Sequence, residues 1–542
     1  MSTQSSAFVS EEEGDENHEA RENTSVTKDH QTQDPRQKAE AGLKDDGQVP
    51  TSIRQQEEYT VYNEFEKRLI VWTAAVDAIF SPLSSQIYYP ALNQLSLDIG
   101  VSVTEINLTI TTYMIVQAIA PMFVGSLADS AGRRPAYIIC FVTYIAACIG
   151  CALAPSYGAL LALRALQSAG SSATMSLCQA VVSDVITSAE RGSYVGITAL
   201  PIILAPSIGP VIGGLISQFL GWRWIFWFLS IFAGVALVLY VLFMPETCRL
   251  LVGDGSIRPP MIYRTPWQVF QDARRMKKEA AQSDENTNNG EPLKSPRIQR
   301  PDLTRTVLIL FEKEIFLLLM YASLLYAAFY AIFAAIPAQF SKIYGFQGLK
   351  IGLVYVPTGI GSIVTIWGVG KLADWNYKRH CHKLGVPYDR NRQNDDMSKF
   401  PIEQARLELG VPFLALFIAV LIAFGWTLEF KAPLAVEIVL LFLVGCTVPA
   451  FSNLLNALIV DLNPGATGAA TAANNLTRGL VGAAASAFIN PLITAVGSGW
   501  AFTIIAFSFV VFFPAPYLLM KNGMRWRAEK ARREEMRRRQ RA

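Results

Sequence analysis

Apolar residues fall into twelve long runs along this chain, at roughly 69–92, 106–127, 136–154, 159–182, 194–218, 224–244, 315–339, 350–370, 411–430, 434–459, 468–494 and 500–520. A helix needs about 20 mostly apolar residues to cross the hydrocarbon core of a bilayer, so each run matches one crossing. The pattern predicts an all-α membrane protein with six spans, a long polar segment and six further spans. It divides the chain into an N-terminal tail over 1–68, a first six-helix half over 69–244, a central loop over 245–314, a second half over 315–520 and a C-terminal tail over 521–542. Residues 1–56 carry few large apolar side chains and are expected to be disordered. Glu57 to Arg68 can form a short amphipathic lead-in. The polar start of the chain does not resemble a signal peptide.

Composition supports this division. The 542 residues are 51% hydrophobic and only 17% charged, against about 25% charged in a typical soluble domain. Charge is concentrated outside the apolar runs: residues 1–68 hold sixteen acids and eight bases, and the tail beyond Lys521 is rich in arginine. The net charge of +3 averages an acidic head with a basic tail and says little. A single soluble domain, a nucleic-acid binder and a secreted disulfide scaffold are all excluded. Of the seven cysteines, five lie within apolar runs, so they read as small apolar residues of helices. Lysine and arginine gather on one side of the predicted membrane: Arg133, Arg134, Arg191, the central loop, the 374–410 loop and the C-terminal tail. The opposite side has only Arg223, Lys342, Lys350 and Lys431. The positive-inside rule therefore places both termini in the cytoplasm.

The two halves repeat. Gly125-Ser126-Leu127-Ala128-Asp129 ends span 2, and Gly370-Lys371-Leu372-Ala373-Asp374 ends span 8. The sixth span of each half is entered through Gly-Trp, at Gly221-Trp222 and Gly499-Trp500. Six plus six spans with matched landmarks argue for parallel repeats about an axis along the membrane normal, with a substrate site near the midplane between the halves.

Several segments are similar to those of a known family. Residues 125–135, G-S-L-A-D-S-A-G-R-R-P, resemble the loop 2–3 motif of the major facilitator superfamily, with Ser130 where lysine or arginine is usual. Arg164, Gln167 and Gly170 resemble the span-four motif R-x-x-[QG]-x-x-G of its proton antiporters. Ala205–Gly214, A-P-S-I-G-P-V-I-G-G, resembles the span-five antiporter motif, with Ala205 in place of its first glycine. Pro245-Glu246-Thr247, Val252–Ser256 and Ala469–Arg478 resemble segments of fungal members. The resemblance covers about residues 60–522. It points to the twelve-span drug:proton antiporter group, near the quinidine-resistance and dityrosine-transporter branch of fungi. It implies the major facilitator fold.

Candidate residues follow from both readings. Asp129, Gly132, Arg133, Arg134 and Asp184 form a candidate gate. Asp129 can dock on the positive N-terminal end of span 11 near Asn463-Pro464-Gly465, and Arg133 can pair with Asp129 or with Asp184. The bland alternative is positive-inside charge plus a tight turn. Arg164 is an ionisable residue inside span 4, a costly placement that needs a cavity or a partner. The resemblance links it to proton transfer; since a guanidinium does not release its proton, it would organise a carboxylate or waters, or else join two helices. Asp77 lies in span 1 with Ser81, Ser84, Ser85 and Tyr88 on one helical face. It is a candidate proton carrier, a candidate ion-pair partner of Arg478, or a solvated group. Gly209, Pro210, Gly213 and Gly214 let span 5 pack closely, and the resemblance implies a seal against proton leak. A substrate cavity would draw on Ser81, Ser84, Tyr88, Tyr113, Gln117, Gln167, Ser171, Tyr326, Tyr330, Asn453, Asn456, Asn474, Asn475 and Arg478, each of which can equally join helices.

The expected function is export of small organic compounds in exchange for protons by alternating access. The alternatives are a dedicated exporter or proton-independent facilitator of one metabolite such as an organic acid and, remotely, a transporter-like receptor. No G-x-x-x-x-G-K-[ST] loop is present, so ATP is not the expected energy source. The four histidines, His18, His30, His380 and His382, all lie outside the runs. No catalysis, cofactor, metal or nucleic-acid partner is expected. The partners are the substrate, protons and the bilayer. A monomer in the plasma membrane is expected, with a vacuolar or vesicle membrane as the alternative.

Overall fold

The computed structural model describes residues 60–186, 191–253, 257, 259–260, 263–266, 268, 310, 312–384, 401–463, 467–512 and 514–541. The tail before residue 60, most of the central loop, the segment 385–400 and residues 464–466 lie outside the described residues. Glu58–Ala542 form one unit. Every regular element among the described residues is helical.

Eight helices are long and apolar enough to cross a membrane. They are spans 2 (Val103–Ala131), 3 (Arg133–Ala152), 6 (Arg223–Phe243), 7 (Lys313–Tyr344), 8 (to Leu384), 9 (Ile402–Glu429) and 10 (Leu434–Asp461), and the joined helix Thr467–Phe512 that holds spans 11 and 12. The last of these bends at Gly497, φ 83°, which separates its two spans. Span 5 is Arg191–Phe219. Spans 1 and 4 escape a length criterion because each is broken in two: Glu64–Ala78 with Phe80–Gln86, and Tyr157–Ser171 with Thr174–Val185. The break in span 1 has a local cause. Pro82 has no amide hydrogen for the carbonyl of Ala78 four residues back, and the helix turns at Ile79. Pro357 likewise follows shortly after the break at Tyr355 that divides span 8 into Leu349–Val354 and Val356–Leu384. The chain thus makes twelve crossings, six in each half.

Helix starts carry the expected caps. Asn63 with Glu66 forms a capping box before span 1, and Ser102 with Glu105 forms one before span 2. The outward faces of spans 6 and 12 expose Ile231, Val235 and Val238, and Trp500, Ile504, Phe507 and Val511. Those positions recur at helical spacing and suit lipid contact. The C-terminal segment departs from a loose tail: a helix, Pro514–Arg541, follows span 12 directly, and its Leu519 is buried. Span 8 likewise runs ten residues beyond Asp374, into what the sequence suggested was loop.

With twelve crossings among the described residues, the start of span 1 and the helix after span 12 lie on one side, here called the terminal face; the other is the far face. The halves meet where span 2 packs on span 11 and span 5 packs on span 8. Gly479 lies on Ala118, and Thr111 Oγ1 donates to Ala483 O at 3.4 Å. Toward the far face, Leu349 N donates to Gln218 Oε1 at 3.0 Å, and Asn93 Nδ2 to Pro337 O at 3.1 Å. Tyr89 of the first half sits against Phe333 and Tyr355 of the second, with ring centroids 6.4 and 6.2 Å away. The far face is therefore closed.

Two glycines of span 5 do separate jobs. A Cβ on Gly213 would overlap the carbonyl oxygen of Ile87 in span 1, within the first half. A Cβ on Gly214 would lie 2.6 Å from the carbonyl oxygen of Gly348, across the halves. Gly213→Val is expected to destabilise the protein by about 1–3 kcal/mol through overpacking, read as a lower melting temperature in detergent. Gly214→Ala is expected to loosen the far-face closure with a smaller change in melting. Faster labelling of an Asn93→Cys reporter by a membrane-impermeant maleimide would show it, and unchanged labelling would refute it.

Candidate functional site

At the terminal face a single residue, Gly132 at φ 105°, joins span 2 to span 3. The first amides of span 3 would be orphaned in this buried corner. Glu246, 2% exposed, comes from just beyond span 6 and accepts from the backbone N–H groups of Arg133 at 2.9 Å and Arg134 at 3.1 Å. It also accepts from Thr247 N at 3.0 Å and Cys248 N at 2.9 Å. A Cβ on Gly132 would come 2.6 Å from Glu246 Oε2, so that carboxylate and a side chain at 132 exclude each other. The Arg134 guanidinium donates to Met244 O at 2.7 Å and Val241 O at 2.8 Å, closing the C-terminal end of span 6. Arg133 pairs with both of its candidate partners: with Asp184 at 3.0 Å and with Asp129. Asp184 is buried, whereas the Asp129 side chain is 67% exposed. Asp129 therefore points at Arg133 and solvent; residues 464–466, toward which the docking expectation pointed, lie outside the described residues.

The second half repeats this arrangement. Arg406 at the start of span 9 pairs with Asp461 at the end of span 10, 3.4 Å apart, as Arg133 of span 3 pairs with Asp184 of span 4. Asp374, the repeat partner of Asp129, is likewise exposed. The helix that follows span 12 sends Arg527 Nε to Glu403 of span 9 at 2.7 Å, with Glu403 2% exposed. That contact occupies the place of Glu246 on span 3 with the charges exchanged. The sequence reading quoted Glu246 without a role and did not find Glu403, Arg406 or Arg527. The signal available was the repeat itself, applied to residues after spans 6 and 12.

Inside the first half the predicted polar residues form one network around Arg164, which is fully buried. Arg164 Nη1 donates to Gln167 Oε1 at 2.6 Å and to Ser84 O at 3.3 Å. Its guanidinium lies between the rings of Tyr88 and Tyr113, 4.6 and 4.4 Å from their centroids. Nε and Nη2 have no hydrogen-bond partner among the described residues. Tyr113 Oη is 2.7 Å from Ser171 Oγ and donates to Ser81 O; Gln117 Nε2 donates to Ser81 Oγ at 2.7 Å; Ser84 Oγ meets Tyr144 Oη. Asp77 stands apart. It is 1% exposed, its Oδ2 has no partner, and it lies within electrostatic reach of Tyr137, Cys178 and Tyr240 in spans 3, 4 and 6. Among the described residues it forms no salt bridge, with Arg478 or any other cation. Asp77 near Tyr137 and Ser84 on Tyr144 look toward span 3, while Ser81 and Tyr88 meet Gln117 and Thr109 of span 2.

In the second half Tyr326 and Tyr330 lie 6.3 Å apart, with Arg478 over the Tyr326 ring at 4.5 Å. Asn474 Nδ2 donates to Asn456 Oδ1 at 2.8 Å, joining spans 10 and 11. Asn475 is partly buried and Asn453 is exposed. Span 5 meets span 8 along Gly214 with Gly348 and Pro210 with Gly352, while Gly209 and Gly213 lie on Ile87 of span 1. No cluster of metal-binding side chains occurs among the described residues.

Two repeated six-helix halves, clamped at one face by ion clusters and closed at the other by backbone contacts over buried polar groups, define a multi-pass membrane transport protein. The chain belongs to the Major Facilitator Superfamily, whose profile matches residues 78–487. It is 44% identical over 88% of its length to the MFS-type transporter phiD of Fungal sp. (strain ATCC 74256), covering 72% of that protein. It is 40% identical to the MFS-type transporter tstD of Talaromyces stipitatus, over 90% of this chain and 87% of that one. It is 36% identical to Citrate exporter 1 of Aspergillus niger, over 87% of this chain and 89% of that one.

Glu246→Gln would leave amides of the span 3 corner facing an NH2 group, and is expected to lower stability by about 1.5–3 kcal/mol. Gly132→Ala, which meets the same carboxylate in a backbone conformation unsuited to a side chain, is expected to fall in the same range. Combining the two should cost less than their sum, because a side chain at 132 already displaces the carboxylate whose hydrogen bonds Glu246→Gln weakens. Melting curves of the four proteins check this, and strict additivity would refute the shared contact.

Proposed function

We propose that this transporter exports small organic compounds across the membrane in exchange for protons, by alternating access of one central site. The terminal face is taken as cytoplasmic because the basic loops lie there. The observation that supports proton exchange is Asp77: a buried carboxylate, short of a partner on one oxygen, inside a membrane-spanning helix. A carboxylate so placed holds or loses its proton according to how far water reaches it, and rocking the halves changes that reach. Arg164 sits in a separate layer of the same half and acts as organiser of spans 1, 2 and 4. Asp129, Gly132, Arg133, Arg134 and Asp184 serve as the cytoplasmic gate, with Glu246 as its anchor. Gly209, Pro210, Gly213 and Gly214 hold the far-face seal. The side chains of Gln117, Tyr326, Tyr330, Asn456, Asn474, Asn475 and Arg478 contribute to the substrate site.

A second reading, a dedicated exporter of one metabolite, is favoured by the relative named Citrate exporter 1. The two differ in energy source. In proteoliposomes with an acidic interior, a proton antiporter takes up labelled compound until a protonophore collapses the gradient. Uptake indifferent to the protonophore would overturn the antiport reading and leave a facilitator. Asp77→Asn is expected to reduce gradient-driven uptake to the protonophore-treated level while exchange of labelled for unlabelled substrate persists. Wild-type uptake by Asp77→Asn across pH 5 to 8 would remove Asp77 from the proton path.

A further inference from the structure

Arg478 sits about eleven residues into span 11, roughly 16 Å along the helix from its start at Thr467. That is deep within the membrane and on the second half's side of the interface. Its neighbours Gly479 and Gly482 touch Ala118 and Met114 of span 2 in the other half, and Gly482 also touches Tyr330. The residue as a whole is partly buried, and its charge rests on the Tyr326 ring at 4.5 Å with Tyr330 nearby. Among the described residues no carboxylate pairs with it.

The described acids within and at the ends of the spans lie away from Arg478. Asp77 is enclosed by spans 3, 4 and 6 of the first half. Asp184 and Asp461 each hold an arginine at the terminal face. Glu429 accepts from Ser498 N at 2.6 Å, at the start of span 12. Glu437 lies one turn into span 10 from the far face, near Thr427 and Tyr344. Arg164, the other interior guanidinium, also lacks an acid and leaves two nitrogens unbonded. Among the described residues no carboxylate therefore pairs with the positive charge that Arg478 places at the interface. An ionisable group in this setting calls for a partner, and a ring face is a weaker partner than a carboxylate, which the planar fork engages through two parallel hydrogen bonds.

Resting on the reading of a central substrate site, we infer that Arg478 is the anchor for a carboxylate of the transported compound, so that the substrate class is organic acid anions. In the empty protein the guanidinium lies on Tyr326. When substrate enters, it leaves the ring for the carboxylate, and the amides of Asn474 and Asn475 lie within the same stretch of span 11 to meet further oxygens. Organic cations are repelled by the same charge.

The test uses the full-length chain in proteoliposomes, with radiolabelled citrate, tricarballylate and succinate as anionic probes and tetraphenylphosphonium as a cationic one. The wild type is expected to move at least one of the acids and to ignore the cation. Arg478→Gln should raise KM for that acid about 30-fold or more, the usual effect of removing one member of a buried hydrogen-bonded charge pair. Arg478→Lys, which keeps the charge and loses the fork, should fall between. In detergent, the acid should raise the melting temperature of the wild type and not of Arg478→Gln, whose own melting curve reports whether it folds. An unchanged KM in Arg478→Gln overturns the inference. So does a wild type that carries tetraphenylphosphonium, or that neither binds nor moves any of the acids. Protonophore sensitivity is scored separately. Acid transport indifferent to it leaves Arg478 as anchor and removes proton antiport, whereas protonophore-sensitive transport of the cation does the reverse.

Discussion

Everything in this molecule answers to one constraint: a polar group inside a bilayer has no water to turn to. Backbone groups meet it by being helical. Where helices stop or break, a side chain or a neighbouring backbone must step in. Glu246 does so for the start of span 3, Arg134 for the end of span 6, and Glu429 for the start of span 12. These three contacts set where helices end relative to one another, and hence the frame in which the interior residues are held.

The same constraint divides the two faces of the protein into different kinds of joint. The far face is closed by backbones in direct contact, Gly214 on Gly348 and Pro210 on Gly352, with the rings of Tyr89, Phe333 and Tyr355 clustered beside them. Such contacts are short-ranged and lose their attraction within an ångström or two of separation. The terminal face is held within each half by charge: Arg133 with Asp129 and Asp184, Arg406 with Asp461, Arg527 with Glu403. These pairs keep each half rigid while leaving the contact between halves free to change, which suits bodies that rock against one another. The exchange of charge between Glu246 in the first half and Arg527 in the second shows that the repeat conserves the joint without conserving the residue types.

Much of this was legible in the residues. Twelve apolar runs, the paired G-x-L-A-D segments and the loop 2–3 motif contained the family and the number of crossings. The acids at 129 and 184 stood in the sequence as alternative partners of Arg133, and with the turn at Gly132 it pairs with both. Two expectations needed the structure. Span 1 offers Asp77 as a proton carrier or a partner of Arg478, and only the fold encloses it among Tyr137, Cys178 and Tyr240, with no salt bridge among the described residues. The tail beyond Lys521 reads as loose positive charge, yet Arg527 is drawn in by a buried glutamate 124 residues away.

The difference has a physical origin. Hydropathy, helix period and short motifs are local, because each depends on residues within a turn or two of one another, and they were sufficient for the class, the segments and the candidate charges. Which of those charges is paired is a long-range matter. Arg164 and Arg478 look alike in sequence, each an arginine within an apolar helix. Their surroundings differ because distant spans converge on one and leave the other at the seam between halves. Burial and partner choice belong to that convergence, since the cost of a charge in low dielectric depends on every atom within several ångströms, whatever its place in the chain.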